Sequence, residues 1–101
     1  MEEKIKVINE EINWFIEKYQ IKNAIQNNFI HVLKKNSKDE LNLKSKDVTI
    51  RLYSLSHHKT DLGLHSFQVY IFHKEVKIGY YALSYSIKGE LIDDFFVVDY
   101  K

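Results

Sequence analysis

Two patterns predict an α+β domain in which two N-terminal helices pack on a four-stranded antiparallel sheet. Apolar residues recur at three- and four-residue steps through the first third of the chain, and from Val48 onward they alternate with period two. The connections between the last strands are too short for parallel crossovers, which makes the sheet an antiparallel meander. At 101 residues the chain reads as a single domain over 1–101, helical over 1–35, a polar loop over 36–47 and a sheet over 48–101.

The first twenty residues place Ile5, Ile8, Ile12, Phe15, Ile16 and Tyr19 on one helical face, with Glu2 and Glu3 in the first turn, where carboxylates complement the helix dipole. Asn23 followed by Gln26 reads as a capping box opening a second helix, whose apolar positions Ile25, Phe29, Ile30, Val32 and Leu33 keep helical spacing as far as Lys34. Residues 20–22 either separate two helices or bend one. The stretch 35–47 is rich in Lys, Asn, Ser and Asp without periodicity, the pattern of a mobile connection. Val48, Ile50 and Leu52 then alternate with Thr49, Arg51 and Tyr53 in a first strand, and the loop SLSHHKTDLGLHS follows. Alternation resumes as Phe67, Val69 and Ile71 against Gln68, Tyr70 and Phe72, and again as Val76, Ile78, Tyr80 and Ala82 against Lys77, Gly79, Tyr81 and Leu83. Short turns at HKE and IKGE lead to a last strand within GELIDDFFVVDYK.

Hydrophobic residues at 45% and aromatic residues at 14% supply enough material for a folded core. Without cysteine there is neither a disulfide nor a thiolate zinc site, which suits a reducing compartment. The first fifteen residues begin with acids and hold no uninterrupted apolar run, so they read as neither a secretory signal nor a membrane span, and a cytoplasmic location is expected. A net charge of +1 argues against general nucleic-acid binding. Its distribution is uneven: five lysines lie within 34–46, and four acids within 88–101.

Asp93 and Asp94 cannot serve as a two-carboxylate active site, because neighbouring side chains of a strand point to opposite faces. Asp93 shares a face with Leu91, Phe95, Val97 and Asp99, and Asp94 with Ile92, Phe96, Val98 and Tyr100. The aspartate directed at the helices needs a partner, Arg51 or a lysine, or a place at the sheet's end, since an unpaired buried charge is costly. The other, with Glu90 or Asp99 beside it, is a handle for a basic partner. A register shift of one residue exchanges the two roles.

His57, His58, Asp61 and His65 are ligand-type residues close together, and His65 or His73 with Asp61 offers acid–base groups. Neither a recognised zinc spacing nor a nucleophile motif accompanies them, so no metal, cofactor or catalytic residue is expected. Lysines 34–46 with Tyr53, Tyr70, Tyr81 and Tyr85 as a stacking platform form the nucleic-acid reading, which the single arginine weakens. Tyr81, Leu83 and Tyr85 on one strand face, with Tyr70 and Phe72 on the preceding strand, have the composition of a protein interface. Both faces of the last three strands are more apolar than a sheet with one solvated side requires. Either the helices wrap more than one face or something else, a second copy of the chain included, covers the other.

The stretch VKIGYYALSYSIKGELIDDFFVVD carries Gly79-Tyr80-Tyr81 on a strand, Gly89-Glu90 in a turn and acids on the last strand. It resembles the carboxyl end of small immunity proteins from bacterial polymorphic toxin systems, contact-dependent inhibition among them. The resemblance covers roughly the last quarter of the chain. It implies a cytoplasmic, non-enzymatic protein that binds a cognate toxin, the carboxyl-terminal domain of a larger protein, and occludes its active site. Against a basic nuclease, an acidic surface stands in for phosphates and speeds association. The expected partner surface is then Glu90, Asp93, Asp94 and Asp99 with Tyr81 and Tyr85. With a net charge of +1, either the acidity is local or the toxin is not a nuclease. The other reading is a small cystatin-like or nuclear-transport-factor-like enzyme or ligand-binding domain with His65, His73 or Asp61 in a pocket.

Overall fold

The computed structural model describes residues 10–99 and has the predicted α+β architecture. Helices α1 (Glu10–Lys18) and α2 (Ile21–Lys35) are followed by strands β1 (Thr49–Ile50), β2 (Ser56–Lys59), β3 (His65–His73), β4 (Val76–Tyr85) and β5 (Leu91–Val98), all antiparallel. The expectations for Glu2, Glu3, Ile5, Ile8 and Tyr100 lie outside the described residues.

The two helices are separate, because Gln20 turns the chain with left-handed φ and ψ of 53° and 48°. The second helix therefore starts at Ile21, two residues before the expected capping box. Asn23 does not cap it but donates its amide to Gln20 Oε1 at 2.9 Å. The early start is explained by burial, since Ile21 and Ile25, four residues apart, are both fully enclosed. The polar connection is more ordered in its bonding than its composition suggested. The Ser37 backbone N–H donates to Glu40 Oε1 at 2.7 Å and the Glu40 N–H donates to Ser37 Oγ at 3.1 Å, a reciprocal capping box. Leu43 and Val48 then anchor the segment in the core.

The predicted four-rung order holds, with one rung interrupted. β1 and β2 pair with the same edge of β3, at Ile71 and Phe72 and at residues 65–68 respectively, separated by a 3-10 turn over Leu52–Ser54. Ser54 Oγ bridges the gap by accepting the Tyr70 N–H at 2.9 Å. The histidine segment expected to be loop is thus partly strand. Across the sheet the order runs from this divided edge through β3 and β4 to β5.

One face of the sheet is covered by the helices. On it His65, Phe67, Val69 and Ile71 of β3 lie beside Tyr85, Leu83, Tyr81 and Gly79 of β4. A register shift after Ile71 leaves Ile78 as an extra residue, so it joins the same core as Tyr81 although one is even-numbered and the other odd. Phe15 of α1 stacks on Phe67, with centroids 5.8 Å apart, and meets Tyr85 edge-on at 6.2 Å. Phe29 of α2 lies parallel to Phe96 and edge-on to Tyr81, both with centroids 5.7 Å away. The opposite face carries Tyr70, Tyr80, Phe95 and Val97 around the small residues Ser66, Ala82 and Ser84.

Candidate functional site

A groove of about 620 Å³ lies between the carboxyl-terminal half of α2 and β5. Asn28, His31, Val32, Lys35 and Asn36 form its helical wall, and Leu91, Ile92, Asp93, Asp94 and Phe96 its strand wall. The Phe29–Phe96 stack fixes the distance between the walls. β5 is the last strand of the sheet, so this groove runs along an outer edge.

The two aspartates separate as strand geometry requires. Asp94 lies opposite Leu83 on the helical side, and Asp93 lies opposite Ser84 on the other. Among the described residues the partner of the inward acid is a tyrosine, not the expected Arg51 or a lysine. The Tyr81 hydroxyl donates to Asp94 Oδ2 at 2.9 Å. Burial first, and then the hydrogen bond and charge of Asp94, push the Tyr81 hydroxyl pKa far above its usual value, so Tyr81 stays a neutral donor. Arg51 is engaged elsewhere: it donates to the Lys74 carbonyl at 2.9 Å, lies 3.6 Å from Glu75 and covers the Phe72 ring. Asp93 Oδ1 accepts the N–H of Asp94 at 2.8 Å, which orients its carboxylate along the strand edge.

The other expected surface residues divide. Glu90 is exposed in the β4–β5 turn, near the Asp93 end of the strand. Asp99 is exposed at the far end, about 20 Å from Asp93 at the usual strand rise, so it is not part of one patch with it. Tyr81 and Tyr85 are corrected: they face the helices, at 0% and 4% exposure, and offer no partner surface. The extra residue at Ile78 is the cause, because it moves the inward positions of β4 to Tyr81, Leu83 and Tyr85. Tyr70 pairs with Tyr80 on the uncovered face, not with Tyr81. The residues that replace them at the surface are apolar members of β5: Leu91 and Ile92, with Phe95 at 45% and Val97 at 36% exposure. Their signal was present in the sequence as a strand whose two faces are both more apolar than a sheet with one solvated side requires.

The histidines do not converge. His57 and His65 share a hydrogen bond of 2.9 Å between Nε2 and Nδ1, against Phe67, while His58 is paired with Ser66 on the opposite face. His73 lies at the other end of β3, its Nδ1 2.9 Å from the Asp47 carbonyl oxygen. Among the described residues no group of three or more His, Cys, Asp or Glu is arranged to hold a metal ion. None of His65, His73 and Asp61 lines the α2–β5 groove.

The His57–His65 pair makes stability pH-dependent. Burial, and then the charges of His65, His58 and Lys59, lower the His57 pKa. Burial and Lys59 lower that of His65, against a smaller opposing effect of Glu11. The unfolded chain then binds more protons than the folded one below the ordinary histidine value near 6.5. This contribution is therefore complete above that pH and declines as pH falls toward the lowered folded values. Urea unfolding midpoints are expected to fall between pH 7.5 and 5.5, and to fall less in His57→Gln.

Comparison with protein-family models, with curated proteins and with solved structures found no match for this chain. Among the described residues no helix is long and apolar enough to cross a membrane.

Proposed function

We propose that this protein is a non-enzymatic, cytoplasmic inhibitor of the immunity class, which captures a cognate toxin domain through the α2–β5 groove and occludes the toxin's active site. The observation that carries this reading is the make-up of the β5 rim. Exposed Leu91, Ile92, Phe95 and Val97 adjoin the carboxylates of Asp93 and Asp94 along one open edge. Apolar anchors flanked by charge are what a specific protein interface needs: the anchors supply affinity when desolvated, and the carboxylates set orientation and association rate. The local acidity favours a toxin whose contacting surface is basic, as a nuclease's is. The resemblance of residues 76–99 to immunity proteins points the same way.

Asp93 is the residue to test, because it is exposed and opposite Ser84, so changing it leaves the core intact. With the carboxyl-terminal domain of the protein encoded immediately upstream as the candidate ligand, Asp93→Lys is expected to weaken binding more than tenfold, about 1.4 kcal/mol. Asp99→Lys, at the other end of the strand, is expected to change it by less than about twofold. Calorimetric titration reads both, and equal affinity for wild type and Asp93→Lys removes the carboxylate from the mechanism.

A further inference from the structure

Extending the toxin-binding reading and resting on it, we infer that the partner docks by adding a strand to the outer edge of β5, as an extended segment with a basic side chain opposite Asp93. Three independent features of this edge lead there.

The first is the hydrogen-bonding pattern. Asp99 donates its N–H to the Ile78 carbonyl at 2.6 Å, back into the sheet. Because an antiparallel ladder alternates, Asp93, Phe95 and Val97 also direct their backbone groups toward β4, and Asp94, Phe96 and Val98 direct theirs outward. The Asp94 N–H is taken by its neighbour's carboxylate. Phe96 and Val98 present theirs to an edge with which no described strand pairs.

The second feature is the helical overhang. The groove is walled by α2 residues on one side and by β5 on the other, so α2 borders the open space beside the last strand. A further strand at the usual spacing of about 4.8 Å occupies that space with α2 as its roof. Its inward side chains meet Asn28, His31 and Lys35, which favours polar residues there. Its outward side chains continue the uncovered face beside Phe95 and Val97, which favours apolar ones.

The third feature is the contrast between the two edges of the sheet. The opposite edge is divided into strands of two and four residues by a 3-10 turn, an arrangement that discourages further pairing. β5 is an eight-residue strand, LIDDFFVV, with neither lysine nor proline, and its one irregularity, the extra residue Ile92, leaves residues 93–98 in even register with β4. Its only charges are the two aspartates, which repel another acidic edge and attract a basic one. A second β5 would bring two more carboxylates to the same edge, so the occupant is a basic segment of the partner and not a second copy of this chain.

The test is amide hydrogen exchange, read residue by residue by NMR, in the 101-residue chain alone and with the candidate ligand, the carboxyl-terminal domain encoded immediately upstream. Exchange at Phe96 and Val98 is expected to slow at least about tenfold in the complex, while Phe95 and Val97, already bonded to β4, change little. A complex that forms without slowing at Phe96 and Val98 overturns strand addition and leaves toxin binding standing. Slowing that appears without toxin and grows with protein concentration overturns it in favour of self-pairing. Absence of any complex overturns both readings.

Discussion

Gly79→Ala is expected to destabilise the protein by about 3 kcal/mol or more, a large share of the 5–15 kcal/mol that holds a domain folded. A β-carbon at position 79 would overlap the Val97 carbonyl oxygen and lie 2.9 Å from both the Val97 carbonyl carbon and the Val98 α-carbon. These are backbone atoms, so no side-chain rotation relieves the overlap. The paired strands β4 and β5 must move apart where Gly79 faces Val98. Gly63→Ala is the informative contrast. There the space is open, but φ is +83°, so the cost is conformational and about 1 kcal/mol. Urea denaturation of both variants separates crowding from backbone strain, and a Gly79→Ala loss no larger than that of Gly63→Ala contradicts the close approach of β5.

Phe29→Ala is expected to cost about 3–5 kcal/mol, the range for removing a large buried aromatic side chain. Phe29 is almost fully buried and meets Phe96 face to face and Tyr81 edge-on. It is the ring that ties α2 to the last strand, so its removal affects both the core and the shape of the groove. Phe29→Leu keeps most of the volume and is expected to lose less than half as much stability. If toxin binding depends on the spacing of the groove walls, the Leu variant weakens binding while remaining folded, a combination that circular dichroism and calorimetry together detect.

β3 was legible in the sequence because its burial is simple: Phe67, Val69 and Ile71 are all fully enclosed and alternate without interruption. The separation of Asp93 and Asp94 was legible for the same reason, since period two is a property of the backbone. The partner of Asp94 was not, because Tyr81 turns inward only after Ile78 is accommodated as an extra residue, and one added residue leaves no compositional trace. β2 was hidden for a different reason. Ser56–Lys59 is an edge segment paired on one side, so it can be a strand with hardly any apolar residue. The capping box of Ser37 and Glu40 was readable as S-x-x-E within a stretch whose overall polarity suggested only a loop. The groove itself depends on how α2 sits against β5, a tertiary relation that periodicity does not encode.

In the proposed function β5 and the facing wall of α2 are the working part of the molecule, with the Phe29–Phe96 contact holding the two walls together. The most direct measurement titrates this protein against the proposed partner, the carboxyl-terminal domain of whatever protein the gene immediately upstream encodes, and follows toxicity and complex formation together. The account predicts a one-to-one complex whose formation abolishes toxicity, and a marked loss of both effects in Asp93→Lys. Full toxicity in the presence of a large molar excess of the wild-type protein contradicts it.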